Sequence, residues 1–170
     1  FVLSPANPVN LCDTLEYEAE VTNTQLSYGY NLKFMAELPP GITILPGTSQ
    51  FRYPYTTGTY GPLGDPVNDP PGSDQWIWYI SADPNATATL EGVDSLPKNG
   101  YRIRFRVLTD CDFISGTPMR LTAIASNACG DEKTRSSYTP NILIAGLTLT
   151  GAAWQVTVPL RIAAIISSAL

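Results

Sequence analysis

Leu15-Glu16-Tyr17-Glu18-Ala19-Glu20-Val21 and Tyr101-Arg102-Ile103-Arg104-Phe105-Arg106-Val107 are the two stretches whose reading decides the fold. In each, apolar and charged residues alternate without a break. A period of two puts Leu15, Tyr17, Ala19 and Val21 on one face of an extended chain and three glutamates on the other, the mark of a half-buried strand. The second stretch repeats the pattern with three arginines outward. Taken singly, each charged face is simply a solvated one. Taken together, the matched spacing places the two strands side by side, because opposite charges facing each other across an antiparallel pair contribute roughly 0.2 to 1 kcal/mol each.

Working outward, further strands are expected at 30–37, 76–81, 87–90, 119–126, 141–150 and 155–160, each bounded by Gly, Pro, Asn or Asp. No segment carries a helical period. With 13 Gly and 15 Pro in 170 residues, the composition is rich in turns. Short strands separated by turn residues predict an all-β fold, an antiparallel β-sandwich with Greek-key connections. The length fits one domain, read as 1–150, with 151–170 as a final strand or a linker into a following domain. Phe1 in place of Met, and the unpunctuated apolar stretch 162–170, read as a processed or excised piece of a longer chain. The long interruption 51–75 holds Tyr53, Tyr55, Tyr60 and five prolines, Pro54, Pro62, Pro66, Pro70 and Pro71, and reads as a functional or mobile insertion.

The chemistry available is narrow. Without histidine there is no imidazole base and no Ser-His-Asp or Cys-His arrangement. The remaining routes are a carboxylate pair or a Ser-Lys dyad using Lys33, Lys98 or Lys133, and no clustered motif supports either, so no enzyme is expected. A net charge of −5 argues against nucleic acid as a partner. No apolar run approaches the ~18 to 20 residues that span a bilayer, and membrane insertion is not expected.

Three segments resemble the immunoglobulin-like conserved repeat domain of large Bacteroidetes-type surface proteins and adhesins. They are 15–23, ending in Thr22-Asn23; Leu38-Pro39-Pro40-Gly41-Ile42-Thr43-Ile44, similar to the family's Leu-Pro-x-Gly turn; and 101–107, preceded by Asn99-Gly100. The sequence departs from that pattern at Ala36, where the family often has an acidic residue, and in its longer aromatic insertion. The resemblance implies an immunoglobulin-like sandwich and a non-catalytic spacer, filament or adhesive module of an exported cell-surface protein, with a role in attachment or gliding. Its partners would be neighbouring domains of the same chain and a surface glycan or protein. Asp13-Thr14-Leu15 and Asp94-Ser95-Leu96 are similar to the O-glycosylation motif of that phylum, making Thr14 and Ser95 candidate acceptors, and Asn85-Ala86-Thr87 fits the N-glycosylation pattern. Adhesin domains also carry Lys-Asn/Asp isopeptide crosslinks, for which Lys33 is the candidate, against its plain reading as a sheet-surface lysine.

Cys12, Cys111 and Cys129 lack the spacing of a zinc site. With Glu18 opposite Arg104, paired residue numbers sum to about 122, which brings Cys12 beside position 110 and next to Cys111. Cys12 with Cys111 is the first pairing expected, and Cys111 with Cys129 is the local alternative. Seven aromatics fall between 51 and 79, and Tyr53, Tyr55, Tyr60, Trp76 and Trp78 are the candidate ligand surface, with core packing as their plain reading. That surface raises the alternative function, a carbohydrate-binding module of an exported glycan-degrading enzyme. Asp65, Asp69 and Asp74 offer oxygen ligands for calcium, although turn chemistry also accounts for them. No other cofactor is implied.

Overall fold

A computed structural model of the chain describes residues 2–3, 9–80, 89–96, 98–111 and 113–143. Among these residues there are twelve strands and no helix. They are β1 (Val2–Leu3), β2 (Thr14–Thr22), β3 (Gly29–Glu37), β4 (Ile42–Ile44), β5 (Gln50–Arg52), β6 (Tyr60–Pro62), β7 (Val67–Asn68), β8 (Gln75–Tyr79), β9 (Thr89–Leu90), β10 (Gly100–Thr109), β11 (Arg120–Ser126) and β12 (Glu132–Tyr138). One sheet runs β1-β2-β10-β5-β6, with β4 also on β10; the other runs β12-β11-β3-β8-β7, with β9 also on β3. Every pairing is antiparallel. The chain changes sheets between β2 and β3, β3 and β4, β6 and β7, β9 and β10, and β10 and β11, so the central pair β2–β10 is closed by residues far apart in sequence.

That pair has the register expected from the charge pattern: Arg102 faces Glu20, Arg104 faces Glu18 and Arg106 faces Glu16. Its apolar face is the core. Leu15, Tyr17 and Ala19 on β2 and Tyr101, Ile103, Phe105 and Val107 on β10 are all buried. The opposing sheet supplies Leu32, Phe34, Ala36, Trp78 and Leu121. Phe105 sits 4.8 Å from Trp78, 5.9 Å from Tyr17 and 6.4 Å from Phe34 between ring centroids, joining the two layers. Full burial of side chains of this size stabilises by about 1.5 to 3 kcal/mol each. The Tyr17 and Tyr101 hydroxyls lie in this core with no hydrogen-bond partner among the described residues, and burial raises the pKa of both phenols.

The expected strands at 30–37, 76–81 and 119–126 correspond to β3, β8 and β11, and the end of 87–90 to the short β9, with residues 81, 87 and 88 outside the described residues. Residues 141–143 carry no strand. The rest of 141–150, the segment 155–160 and the proposed final strand or linker 151–170 lie outside the described residues, as does Asn85. The interruption 51–75 requires correction. Its start belongs to β5, which hydrogen-bonds to β10; it contains β6 and β7; and it leads into β8, so it contributes strands to both sheets. Prolines hid them, because strands of two or three residues between turns leave no alternation to read.

Candidate functional site

At one end of the sandwich, two turns of identical sequence stand beside each other. Pro39-Pro40-Gly41 closes with Ile42 N–H donating to the Pro39 carbonyl at 3.2 Å, and Pro70-Pro71-Gly72 closes with Ser73 N–H donating to the Pro70 carbonyl at 3.0 Å. Gly41 and Gly72 both have φ +83°. Proline at the second position and a positive-φ glycine at the third define a type II turn, so the sequence dictates both shapes. Asn68 fixes the second turn: its Oδ1 accepts from Gly72 N–H, and its Nδ2 donates to the Ser73 and Gln75 carbonyls. Gly41 is required by space as well. A Cβ there would lie 2.7 Å from Phe113 Cα and 2.7 Å from Asp110 Oδ1.

Between the two turns and Pro118 runs a groove of about 530 Å³. Trp76 and Tyr138 line it, together with Asp74 and the Glu37–Arg120 ion pair. Tyr138 is 63% exposed, and Trp76 is half-buried with part of its ring against the core. Arg120 donates to Glu37 Oε1 at 3.0 Å and to Ser136 Oγ at 3.2 Å, which fixes a guanidinium and a carboxylate on the wall. Two aromatic side chains, a fixed cation and anion, and rigid proline walls suit a polar ligand that stacks as well as hydrogen-bonds. Of these residues Trp76 and Asp74 are candidates in the sequence for a ligand surface and a metal site, and Leu38 to Ile42 belong to the Leu-Pro-x-Gly segment. The repeated Pro-Pro-Gly tripeptide is the signal that points to the two turns; Glu37, Arg120 and Tyr138 carry none.

The other candidate aromatics do not join Trp76. Trp78 is 1% exposed and turned into the core, where its indole N–H donates to Ser49 Oγ at 2.8 Å; it is a packing residue, unable to face a ligand. Tyr53 packs against the core, and the Tyr55 ring lies over Gly100, at the end of the sandwich opposite the groove. Tyr60 belongs to the charged face. Its hydroxyl donates to Glu18 at 2.5 Å, and the Arg104 guanidinium lies 4.2 Å from its ring centroid. Asp65, Asp69 and Asp74 do not gather, and among the described residues no three acidic or other metal-binding side chains cluster. Asp65 instead accepts from Gly47 N–H, which accounts for its place on a turn.

Glu18 anchors the charged face. Besides Tyr60 it accepts from Arg104 at 2.8 Å and Arg102 at 3.1 Å. Burial alone would raise its pKa, but the hydrogen bonds from Tyr60 and Arg104 and the charges of Arg102 and Arg104 outweigh it, holding the carboxyl below its usual value. Burial and the Glu18 bond raise Tyr60. Lys33 pairs with Glu132 at 2.5 Å on the outer face of the other sheet, which is its plain reading as a surface lysine. Thr14 is exposed at the start of β2, and Ser95 is half-buried in a turn. The Cys12 and Cys111 sulfurs lie 2.8 Å apart at the groove end, and the contact with Cys111 raises the Cys12 thiol. Cys129 lies in the β11–β12 turn at the far end.

No family model matches the chain, and no curated protein matches it significantly. Solved structures do. BcpA, the major pilin subunit of Bacillus cereus, is similar over 85% of this chain and 40% of its own, with a TM-score of 0.54 and 9% identity. The RrgA Jo.In complex is similar over 84% of this chain and 78% of its own, with a TM-score of 0.54 and 11% identity. The full-length major pilin SpaD of Corynebacterium diphtheriae is similar over 79% of this chain and 33% of its own, at 0.51 and 14%. The fold is immunoglobulin-like. This chain thus spans well under half the length of either pilin, and at these identities the likeness is one of fold.

Proposed function

We propose that this chain is a non-catalytic structural and adhesive module of a large, exported bacterial surface protein, a repeat of the Bacteroidetes adhesin type that displays the end groove to a surface glycan or protein. The observation that carries this reading is the sandwich shared with two pilin subunits over 79% and 85% of the chain. The absence of histidine from all 170 residues, which removes the commonest general base, supports a role without catalysis. Mechanical extension needs a module whose central strands are held by long-range pairing, and β2 with β10 provides that. The full reading frame tests the proposal: the Leu-Pro-x-Gly turn should recur at a fixed period. A frame without recurrence refutes the repeat.

Trp76 and Tyr138 in one groove favour a second reading, a carbohydrate-binding module attached to a glycan-degrading enzyme. Affinity electrophoresis and a glycan array separate the two. A carbohydrate module is retarded by a specific polysaccharide and loses that shift in Trp76→Ala, whereas a spacer repeat migrates unchanged.

A further inference from the structure

We infer that Cys12 and Cys111 form a disulfide that closes the chain around β2 to β10 and takes those strands out of the path of a pulling force. The two sulfurs already lie 2.8 Å apart. The backbone around them is held in place from several sides. Thr109 N–H donates to the Asp13 carbonyl at 3.1 Å, Asp13 N–H donates to Thr109 Oγ1 at 3.2 Å, and Asp110 N–H donates to the Gly41 carbonyl at 2.9 Å. Thr109, the centre of these bonds, is fully buried. Cys12 adopts a left-handed backbone, φ 60°, a conformation uncommon for a non-glycine residue. Cys129 is no competitor. It lies beyond the Ser126 end of β11, which pairs with Tyr30, while Cys111 lies beside Gly41, past the other end of β3. Nine strand residues separate those ends, about 30 Å, far beyond the ~7 Å between Cα atoms that a disulfide tolerates.

The bond forms by thiol-disulfide exchange. One thiolate attacks a disulfide oxidant, such as oxidised glutathione or an oxidoreductase of the export route, and releases one thiol; the second cysteine then displaces the other. The pair gives up two protons and two electrons, and the oxidant leaves as two thiols. Both sulfurs are exposed, so the oxidant can reach them.

The consequence for force rests on the proposed role in a surface chain; the bond itself does not. Tension entering near residue 9 crosses from Cys12 to Cys111 through the bond and leaves through 113–143. The sequence separation of 99 residues is then bypassed, a contour length of about 340 Å.

The test uses the chain produced in an oxidising compartment. Thiol titration should find one free thiol per chain, and non-reducing peptide mapping should recover Cys12 linked to Cys111 with Cys129 alkylated. Three free thiols, or any crosslink to Cys129, overturn the assignment. Reduction should lower the melting temperature by roughly 10 °C, and Cys12→Ser and Cys111→Ser should each reproduce that loss while Cys129→Ser does not. In single-molecule pulling from both ends, reductant should lengthen the unfolded chain by about 340 Å. An oxidised, crosslinked chain that extends to the same length with and without reductant overturns the shielding. A single-copy reading frame, by contrast, removes the repeat proposal and leaves the disulfide standing.

Discussion

Glu18→Gln is the sharpest perturbation of the charged face, because it removes a charge and keeps the shape. Three donors converge on the carboxylate, from Tyr60, Arg104 and Arg102. Side-chain exposure along the row is 10% for Glu18, 20% for Glu20 and 41% for Glu16, so the three glutamates grade one chemistry by burial. An amide oxygen still accepts from two donors, but its NH₂ group then faces guanidinium groups. A hydrogen bond to a charged group contributes about 1.5 to 3 kcal/mol, against about 0.5 to 1.5 for a neutral one. With two arginines affected, Glu18→Gln should cost about 2 to 3 kcal/mol. Glu20→Gln loses a two-point contact with one arginine and should cost about 1 kcal/mol; Glu16→Gln, in solvent, should cost less than about 0.5. Equilibrium urea unfolding at low ionic strength resolves these differences, since about 2 kcal/mol moves the midpoint by roughly 1 M. Adding Arg104→Gln should give a coupling of about 1 to 2 kcal/mol with Glu18→Gln. In 1 M salt the Glu16 effect should vanish while most of the Glu18 effect persists. Equal costs at the three positions, or strict additivity with Arg104→Gln, would refute the idea that burial makes this ladder a structural network.

Because the Glu18 carboxyl titrates below its ordinary 4.5 in the folded chain, its contribution is complete above that value and is lost as pH falls through the lowered pKa; the stability gap between the parent and Glu18→Gln should therefore close on acidification, as read by urea unfolding at stepped pH. Gly41→Ala forces a Cβ to within 2.7 Å of Phe113 Cα at φ +83°, and should cost about 2 to 4 kcal/mol, whereas Gly47→Ala, at φ +70° with open space, should cost only the backbone strain of about 1. Tyr101→Phe deletes a buried hydroxyl without a partner among the described residues, and should leave thermal stability unchanged or raise it by up to about 1 kcal/mol. Tyr138→Ala removes an exposed ring of the groove, and should abolish any ligand shift in affinity electrophoresis with the melting temperature within about 2 °C of the parent.

What the sequence discloses follows from how each element obtains its stability. β2 and β10 are legible because each is buried on one face only, so core and surface alternate in the text, and opposite charges on the outer rows announce the partner and the register. β12 is invisible for the complementary reason. Glu132-Lys133-Thr134-Arg135-Ser136-Ser137-Tyr138 is exposed throughout and is held by backbone pairing to β11, and backbone bonds leave no trace in residue type. The five aromatics were read as one surface because they are close in sequence. In an antiparallel sandwich that nearness is misleading: two residues apart on β8, Trp76 lies at the rim and Trp78 at the centre, and the chain from Tyr60 to Trp76 passes from one sheet to the other.

The charged ladder shows the limit of local reading most clearly. Period two assigns Glu18 to the solvent face, correctly as to which side of the sheet it points. Yet Glu18 is only 8% exposed: Arg102 and Arg104 pair with it, and Tyr60 on β6, three strands away, reaches back over β5 and β10 to close on it. The insertion that reads as a separate functional loop therefore supplies the hydroxyl that closes on Glu18, the most buried carboxylate of the row. Replacing Tyr60 by Phe should reproduce part of the Glu18→Gln cost, about 1 kcal/mol, through a change more than forty residues away in sequence.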